Sequence, residues 1–496
     1  MNGSTAQKEQ LLVHLMRRLR EDTLRYIPSA VIPAALSIAG ISVFTRVFDP
    51  LDYGRYAVVV AVTLIAASLL SGWIQQSVLR YLPRFNAEGR IDEFLVKLLH
   101  MIAVVSGAVL VLCFIIFPFM RDRLGAYVHY YHAGVLLVVS EMVFSTLNAA
   151  YQAGLKSKES TVFKSASAVL RLALALLFIF FVRRDVIGIL LGAACANFLL
   201  IIPMLKGLGI TRGVKSLAAS FDTGLMRMFA AFGLPMIGWM MCGQLLGLSD
   251  RVLIGVFRGS AEAGIYAANY NLVTMGFGLI STPLLTASYP LIMNAWESGD
   301  RSKITEVISQ FTKYYVIAVV PVVVFTVLFS RELVTVLLGS KFREGYTIIP
   351  FVTGGVMVWG VSMIGHKGLE IQERTRTLLM LVAISTLVNL SLNLIMIPAF
   401  GYQGAAVTTL IGYCIYPILV FRATRTSIGW LIPWRSIVKT ACAGIAMGAV
   451  MSAGRFYAGG HLPPVGMLCA AGVIGTACYA ALLAAMRELT FRRGWR

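Results

Sequence analysis

Long apolar runs, broken by short polar stretches, recur from Tyr26 to Met486. A helix needs about 20 largely apolar residues to cross the ~30 Å hydrocarbon layer of a bilayer. The pattern predicts fourteen such helices, at 26–47, 56–80, 98–119, 131–153, 162–182, 186–205, 229–257, 264–290, 311–330, 345–365, 378–398, 402–421, 436–454 and 463–486. A membrane β-barrel would show ten-residue segments of alternating hydrophobicity instead. Backbone in lipid must satisfy its own hydrogen bonds, so helices follow from the runs. The fold class is an all-α polytopic membrane protein.

Composition agrees with that pattern. Of 496 residues, 58% are hydrophobic and 13% charged, where a soluble domain carries about 25% charged. The formal charge of +20 raises nucleic acid as a partner, but the basic residues cluster in the connections between spans. An even number of spans puts both termini on one side. That side holds 30 Lys and Arg, among them Arg17, Arg18, Arg20, Lys156, Lys158, Arg374, Arg376, Arg492 and Arg493; the other holds 12, and Arg171 lies within a span. Positive residues collect on the cytoplasmic side. The expectation is therefore cytoplasmic termini, with membrane lipids and no nucleic acid as partners.

Residues 1–25 are polar, and "LLVHLMRRLR" reads as an amphipathic helix on the membrane surface. No connection is long enough for a soluble catalytic domain. The seven cysteines all fall in apolar segments without a CxxC pair and read as small buried hydrophobes. His129 and His132 have no companion ligands that would make a metal site. The Gly-rich "GLGITRG" from Gly207 lacks the strand-turn-helix setting of a dinucleotide site and reads as a turn.

The chain also resembles itself. "VFDPLDYGRYA" from Val47 matches "VFRGSAEAGIYA" from Val256 with one inserted residue, and "YLPRFNAEGR" from Tyr81 matches "YPLIMNAWESGDR" from Tyr289. Lys156-Ser157-Lys158 before the fifth span matches Arg374-Thr375-Arg376 before the eleventh. The offset covers six spans, so the halves run the same way through the membrane. The predicted organisation is a surface segment (1–25), a six-helix bundle (26–205), a cytoplasmic linker (206–228), a second six-helix bundle (229–421), and two extra helices with a basic tail (422–496). Parallel repeats of this kind build transporters whose halves rock about a central site.

"TRVFDPLDYGRYAVV", its counterpart "SDRVLIGVFRGSAEAGIYAANYNLV" and Arg80 within "QQSVLRYLPRF" resemble the polysaccharide-transporter branch of the MOP superfamily, the Wzx-type flippases. The resemblance spans nearly the whole chain. It implies a transporter, not an enzyme. The cargo it implies is an undecaprenyl-pyrophosphate-linked glycan, carried from the cytoplasmic to the periplasmic leaflet for exopolysaccharide or O-antigen synthesis. Polysaccharide polymerase and export machinery are the implied partners.

A phosphate-bearing head needs cationic groups along a wet path, because one charge at mid-membrane costs about 2.5–3.5 kcal/mol on insertion scales. Arginine's planar fork suits phosphate. The arginines at or inside spans are Arg46, Arg80, Arg171 and Arg251. Arg251 follows Asp250 directly, on a helix from about Phe229 to Phe257. Its alternatives are a cleft-facing ligand or an interfacial ion pair. Arg171 is either a ligand or the structural partner of Glu141. Arg46 and Arg80 read first as interfacial anchors, then as ligand contacts. Asn269 and Tyr266 are three apart on the eighth span and can contact sugars. Asp250 and Glu141 are candidates to couple transport to H+ or Na+; no other cofactor is expected. The polar side chains Gln75, Asn148, Asn197, Asn389 and Asn393 read as interhelical hydrogen bonds.

No Walker motif is present. The alternatives are a peptidoglycan lipid-precursor flippase, which the same arginines suit, and a MATE-type cation-coupled exporter, whose site should be acidic. A membrane-embedded glycosyltransferase or polymerase would need acidic catalytic groups on larger outer loops.

Overall fold

The computed structural model describes residues 32–154, 156–182, 184–209, 222–297, 299, 301–458 and 462–488. The surface segment 1–25, most of the linker and the basic tail lie outside the described residues. Among those described, every regular element is helical. The helices are α1 (Ile32–Val47), α2 (Pro50–Ala87), α3 (Ile91–Leu124), α4 (Tyr131–Ala153), α5 (Ser157–Leu177), α6 (Ile187–Gly207), α7 (Thr223–Phe257) and α8 (Ser260–Glu297). They continue as α9 (Arg301–Leu328), α10 (Ser330–Leu337), α11 (Ile349–Gly365), α12 (Lys367–Glu370), α13 (Thr375–Thr424), α14 (Trp434–Ala458) and α15 (Pro464–Ala485).

Among the described residues, eleven helical stretches are long and apolar enough to span a membrane. Two of them, Ile91–Ala153 and Thr375–Thr424, each hold two of the predicted spans, and α1 is the shorter apolar helix at the first. The helices overrun their apolar runs. At 38 residues, α2 is about 57 Å long at 1.5 Å per residue, so its charged ends reach past the hydrocarbon. Within α13 the backbone breaks at Gly401, where φ is 59° and ψ −144°. This is the gap the sequence left between 398 and 402. Such a positive φ suits glycine, which has no Cβ to clash.

The chain gathers into two compact units. One comprises Phe44–Ala267 with Val382–Ala405; the other comprises Ala268–Leu381 and Ala406 onward, with the segment ending at Val43. In the first unit α2 packs on α4 and α7, and α5 on α6. Membrane helices gain little hydrophobic drive from pairing, so close approach falls to small residues and polar bonds. Gly54 of α2 and Gly264 of α8 give the closest approach, and they are counterparts in the internal repeat. A methyl group on Gly54 would overlap the Ser260 carbonyl, and one on Gly264 would overlap the Pro50 carbonyl; each would also stand 2.8 Å from the other glycine's nitrogen. The contact is reciprocal, backbone against backbone. At the opposite end of the unit Asp222 caps α7, accepting from the Leu225 amide at 2.9 Å and pairing with Lys97 at 2.8 Å. The Lys97 ammonium and the Leu225 amide hold the Asp222 carboxyl below its ordinary range.

In the second unit α9, α14 and α15 close over Phe329, Met447, Met451 and Tyr479. Glu488, just past α15, accepts from Lys313 of α9 at 2.7 Å and Lys439 of α14 at 2.9 Å. Burial alone would raise the Glu488 pKa, but hydrogen bonds from Lys313, Lys439 and Ser436 outweigh it and hold the carboxyl at about 2.

One expectation fails here. None of the seven cysteines is buried: Cys442 and Cys469 are exposed and the other five partly so. An apolar residue in a spanning helix can face lipid as well as protein, so an apolar neighbourhood in the sequence does not place it inside.

Candidate functional site

Three helices of the first unit bring a charged cluster together. Arg171 of α5 donates from Nη2 to Glu141 Oε2 of α4 at 2.5 Å and to Asn197 Oδ1 of α6 at 3.0 Å. Its Nε donates to Ser167 Oγ, one turn earlier, at 3.1 Å. Asn197 turns its amide to the same carboxylate, at 3.1 Å, and to Ser140 Oγ at 3.3 Å. A charge in a low-dielectric interior needs a partner and filled hydrogen-bonding sites. This cluster supplies both from α4, α5 and α6. The Arg171 and Glu141 side chains keep 33% and 20% exposure, so the pair is reachable and not sealed.

A second cluster forms where α7, α8 and α13 meet. Asp250 is fully buried. Its Oδ2 accepts from the Tyr266 hydroxyl and its Oδ1 from the Asn393 amide, both at 2.6 Å. Asn393 also donates to Asn389 Oδ1 at 3.2 Å. The short spacing is that of charge-assisted bonds to a carboxylate. Arg251 is 5% exposed, and its Nη1 lies 3.5 Å from the Gly247 carbonyl oxygen one turn earlier. Neighbours on a helix point about 100° apart. That divergence lets Asp250 meet α8 and α13 while Arg251 takes another direction.

Tyr56 of α2, the repeat counterpart of Tyr266, is half-buried. The two clusters give this unit two guanidinium groups and two carboxylates.

The remaining sequence candidates lie elsewhere. Arg80 is exposed, with its guanidinium 4.2 Å from the Phe232 ring centroid and 5.7 Å from that of Tyr81. Arg46 is exposed at the end of α1. Asn269 is buried in the second unit and donates to the Phe342 carbonyl at 3.0 Å. Although it sits one turn from Tyr266, its partner comes from the helical turn ahead of α11. Asn197 and Asn393, read from the sequence as interhelical bonds, prove to be direct partners of the candidate carboxylates, and Asn389 accepts from Asn393 behind them. The repeat pointed to one of them, since the spacing that equates Lys156 with Arg374 also equates Arg171 with Asn389.

The long helices and the polar clusters set among them define a multi-pass membrane protein. The polysaccharide biosynthesis protein family model matches residues 19–296, and the MatE model matches 235–395. The chain belongs to the polysaccharide biosynthesis protein family. It is 24% identical over 177 residues to the probable low-salt glycan biosynthesis flippase Agl15 of Haloferax volcanii, a stretch covering 36% of this chain and 37% of that relative. In fold it is similar to the lipid II flippase MurJ in an inward closed conformation, with a TM-score of 0.77, 14% identity and coverage of 94% of this chain and 99% of that one. It is also similar to an inward-facing multidrug resistance MATE family transporter, with a TM-score of 0.61, 13% identity and coverage of 81% and 94%.

Proposed function

We propose that this protein is a flippase that carries a polyprenyl-pyrophosphate-linked oligosaccharide from the cytoplasmic to the periplasmic leaflet by alternating access. The observation that carries the proposal is the Arg171–Glu141–Asn197 cluster, in which three spanning helices hold a guanidinium that is still partly exposed. The cargo's hydrocarbon tail stays in lipid while its anionic head requires cationic groups along its path. In this reading Arg171 and Arg251 receive the pyrophosphate. Arg171 then exchanges Glu141 for phosphate as the head arrives, and Asn197 keeps the released carboxylate hydrogen-bonded.

Asp250 is the coupling group in the same reading. Its carboxylate, with the Tyr266 hydroxyl and the Asn389 and Asn393 side chains, is a small oxygen-rich site suited to a proton or Na+. Outward movement of anionic phosphate is also favoured by an interior-negative potential, at about 2.3 kcal/mol per charge per 100 mV. Both termini are cytoplasmic in this topology, and the membrane is the bacterial inner membrane. Exopolysaccharide or O-antigen assembly is the proposed setting, with the polymerase downstream.

The test is deletion followed by lipid extraction. The reading expects an oligosaccharide-linked polyprenyl pyrophosphate to accumulate on the cytoplasmic leaflet. Accumulation of the peptidoglycan precursor instead would move the protein to that pathway without changing the site chemistry. Accumulation of neither would remove the proposal.

A further inference from the structure

At the end of α9 a cavity of about 180 Å³ opens between α10, the last turn of α14 and the first residue of α15. Arg331, Glu332, Thr335, Arg455 and Pro464 line it. Lys313 and its tie to Glu488 lie at the other end of α9.

The cavity holds both kinds of unfilled hydrogen-bonding group. Arg455 Nη2 meets Glu332 Oε1 at 2.6 Å, and Arg455 Nη1 donates to the Leu328 carbonyl at 2.9 Å. A guanidinium carries five N–H donors, so donors remain on Arg455, whose side chain is partly exposed. Arg331, exposed on α10, adds a second guanidinium that has no ion pair among the described residues. On the acceptor side, Glu332 is mostly buried, and its Oε2 has no hydrogen-bond partner among the described residues. The Thr335 hydroxyl donates to the Arg331 carbonyl at 2.7 Å, which leaves its lone pairs free to accept.

We infer that this cavity binds the head group of a phospholipid that carries a primary amine, of the phosphoethanolamine type. The phosphate lies against Arg331 and Arg455, and the ammonium donates to Glu332 and Thr335. The lipid is distinct from the cargo, so the inference stands whatever glycan is carried.

The charges select that ligand. Arginine pairs with phosphate through two parallel bonds, which accounts for the guanidinium groups but not for a carboxylate among them. A purely anionic head would meet Glu332 with repulsion and leave Oε2 unbonded, and a buried acceptor left unbonded is costly. A primary ammonium brings three donors. The quaternary ammonium of choline brings none. The surroundings select a lipid over a free zwitterion. Phe456 and Tyr457 follow Arg455 directly, are among the most exposed aromatic side chains described, and pack edge to face at 5.6 Å. Aromatic side chains at the end of a spanning helix sit at head-group level, and basic pockets between such helices take lipid head groups. In the proposed topology this is the periplasmic face, so the lipid comes from the outer leaflet. Once bound, it joins α10 to α14 and α15, the two helices beyond the repeat.

The test uses the full chain in phosphatidylcholine nanodiscs doped with one of four lipids: phosphatidylethanolamine, its N-methyl form, its N,N-dimethyl form or phosphatidylglycerol. Native mass spectrometry then counts the lipid that stays bound. The parent should retain phosphatidylethanolamine about tenfold over phosphatidylcholine, as expected for hydrogen bonds to a charged group. Retention should fall stepwise as methyl groups replace N–H donors. Arg331→Gln, at an exposed position, should lower retention of every phospholipid, whereas Glu332→Gln should erase the preference for the primary amine. Equal retention of phosphatidylethanolamine and phosphatidylcholine by the parent would overturn the inference, as would retention that Arg331→Gln leaves unchanged or a preference that survives Glu332→Gln. Stronger retention of phosphatidylglycerol would also overturn it, by making the cavity a simple anion site.

Discussion

Arg171 and Glu141 meet at 2.5 Å between α5 and α4, and Asn197 bonds to both. A guanidinium inside a membrane protein is costly unless an anion faces it. Here the anion is a side chain that a phosphate can replace. In the proposed cycle the ion pair and a ligand-binding role are successive states of one group.

The pair is expected to be coupled energetically. Removing Glu141 alone, as Glu141→Gln, is expected to destabilise the protein by about 1.5–3 kcal/mol, the range for hydrogen bonds to charged groups. The pair's partial exposure keeps it below the 3–5 kcal/mol of a fully buried pair broken on one side. In an Arg171→Met background the same change should cost far less. Thermal unfolding of the four proteins in one detergent, analysed as a double-mutant cycle, checks this. Additive losses would show the two side chains to be independent.

Tyr266→Phe removes one of the 2.6 Å bonds to Asp250. A loss of about 1.5–3 kcal/mol in stability is expected. Transport by the variant should keep its ion dependence with a shifted midpoint, because the carboxylate remains. Asp250→Asn should abolish that dependence altogether. Titrating transport against pH and Na+ in the parent and both variants measures each effect.

Glu488 gives the second unit an acid-sensitive tie. Its folded pKa of about 2 lies below its ordinary 4.5, so the stabilisation is complete above pH 5 and is lost as pH falls through the folded value. At about 1.4 kcal/mol per pH unit, the gap amounts to roughly 3 kcal/mol. The melting temperature should therefore decline between pH 5 and pH 2. Glu488→Gln should be less stable at pH 7 and flatter across that acid window. A parent curve parallel to that of the variant would contradict the assignment.

Glycines separate by environment. Gly54→Ala puts a methyl group into the Ser260 carbonyl and should cost about 1–3 kcal/mol, the range for overpacking. Gly276→Ala, with nothing within 4 Å of the new carbon, should be neutral or more stable by up to about 1 kcal/mol. Melting temperatures of the two variants side by side decide the matter.

Much of the fold was legible because hydrocarbon thickness imposes a length on apolar runs. Every predicted span has a helix, and the gap before Tyr402 is a true break. The helix ends were harder to see, because the first turn of α3 carries Asp92 and Glu93, polar residues that favour a helix N-terminus yet lie outside the apolar run. α10, eight residues with one buried face, gave too short a period to detect. The charged candidates were found individually, but their partners were not. Sequence adjacency set Asp250 beside Arg251, whereas its two bonded partners come from α8 and α13, the latter 143 positions away. Such contacts follow from helix packing, which residue type and spacing do not encode.

The most direct measurement reconstitutes the full chain in liposomes carrying a polyprenyl-pyrophosphate oligosaccharide in one leaflet and follows the glycan's appearance in the other. The account predicts protein-dependent movement, sharply reduced by Arg171→Gln and by Arg251→Gln, with each variant still folded. Movement no faster than in protein-free liposomes, or movement that neither substitution affects, would contradict it.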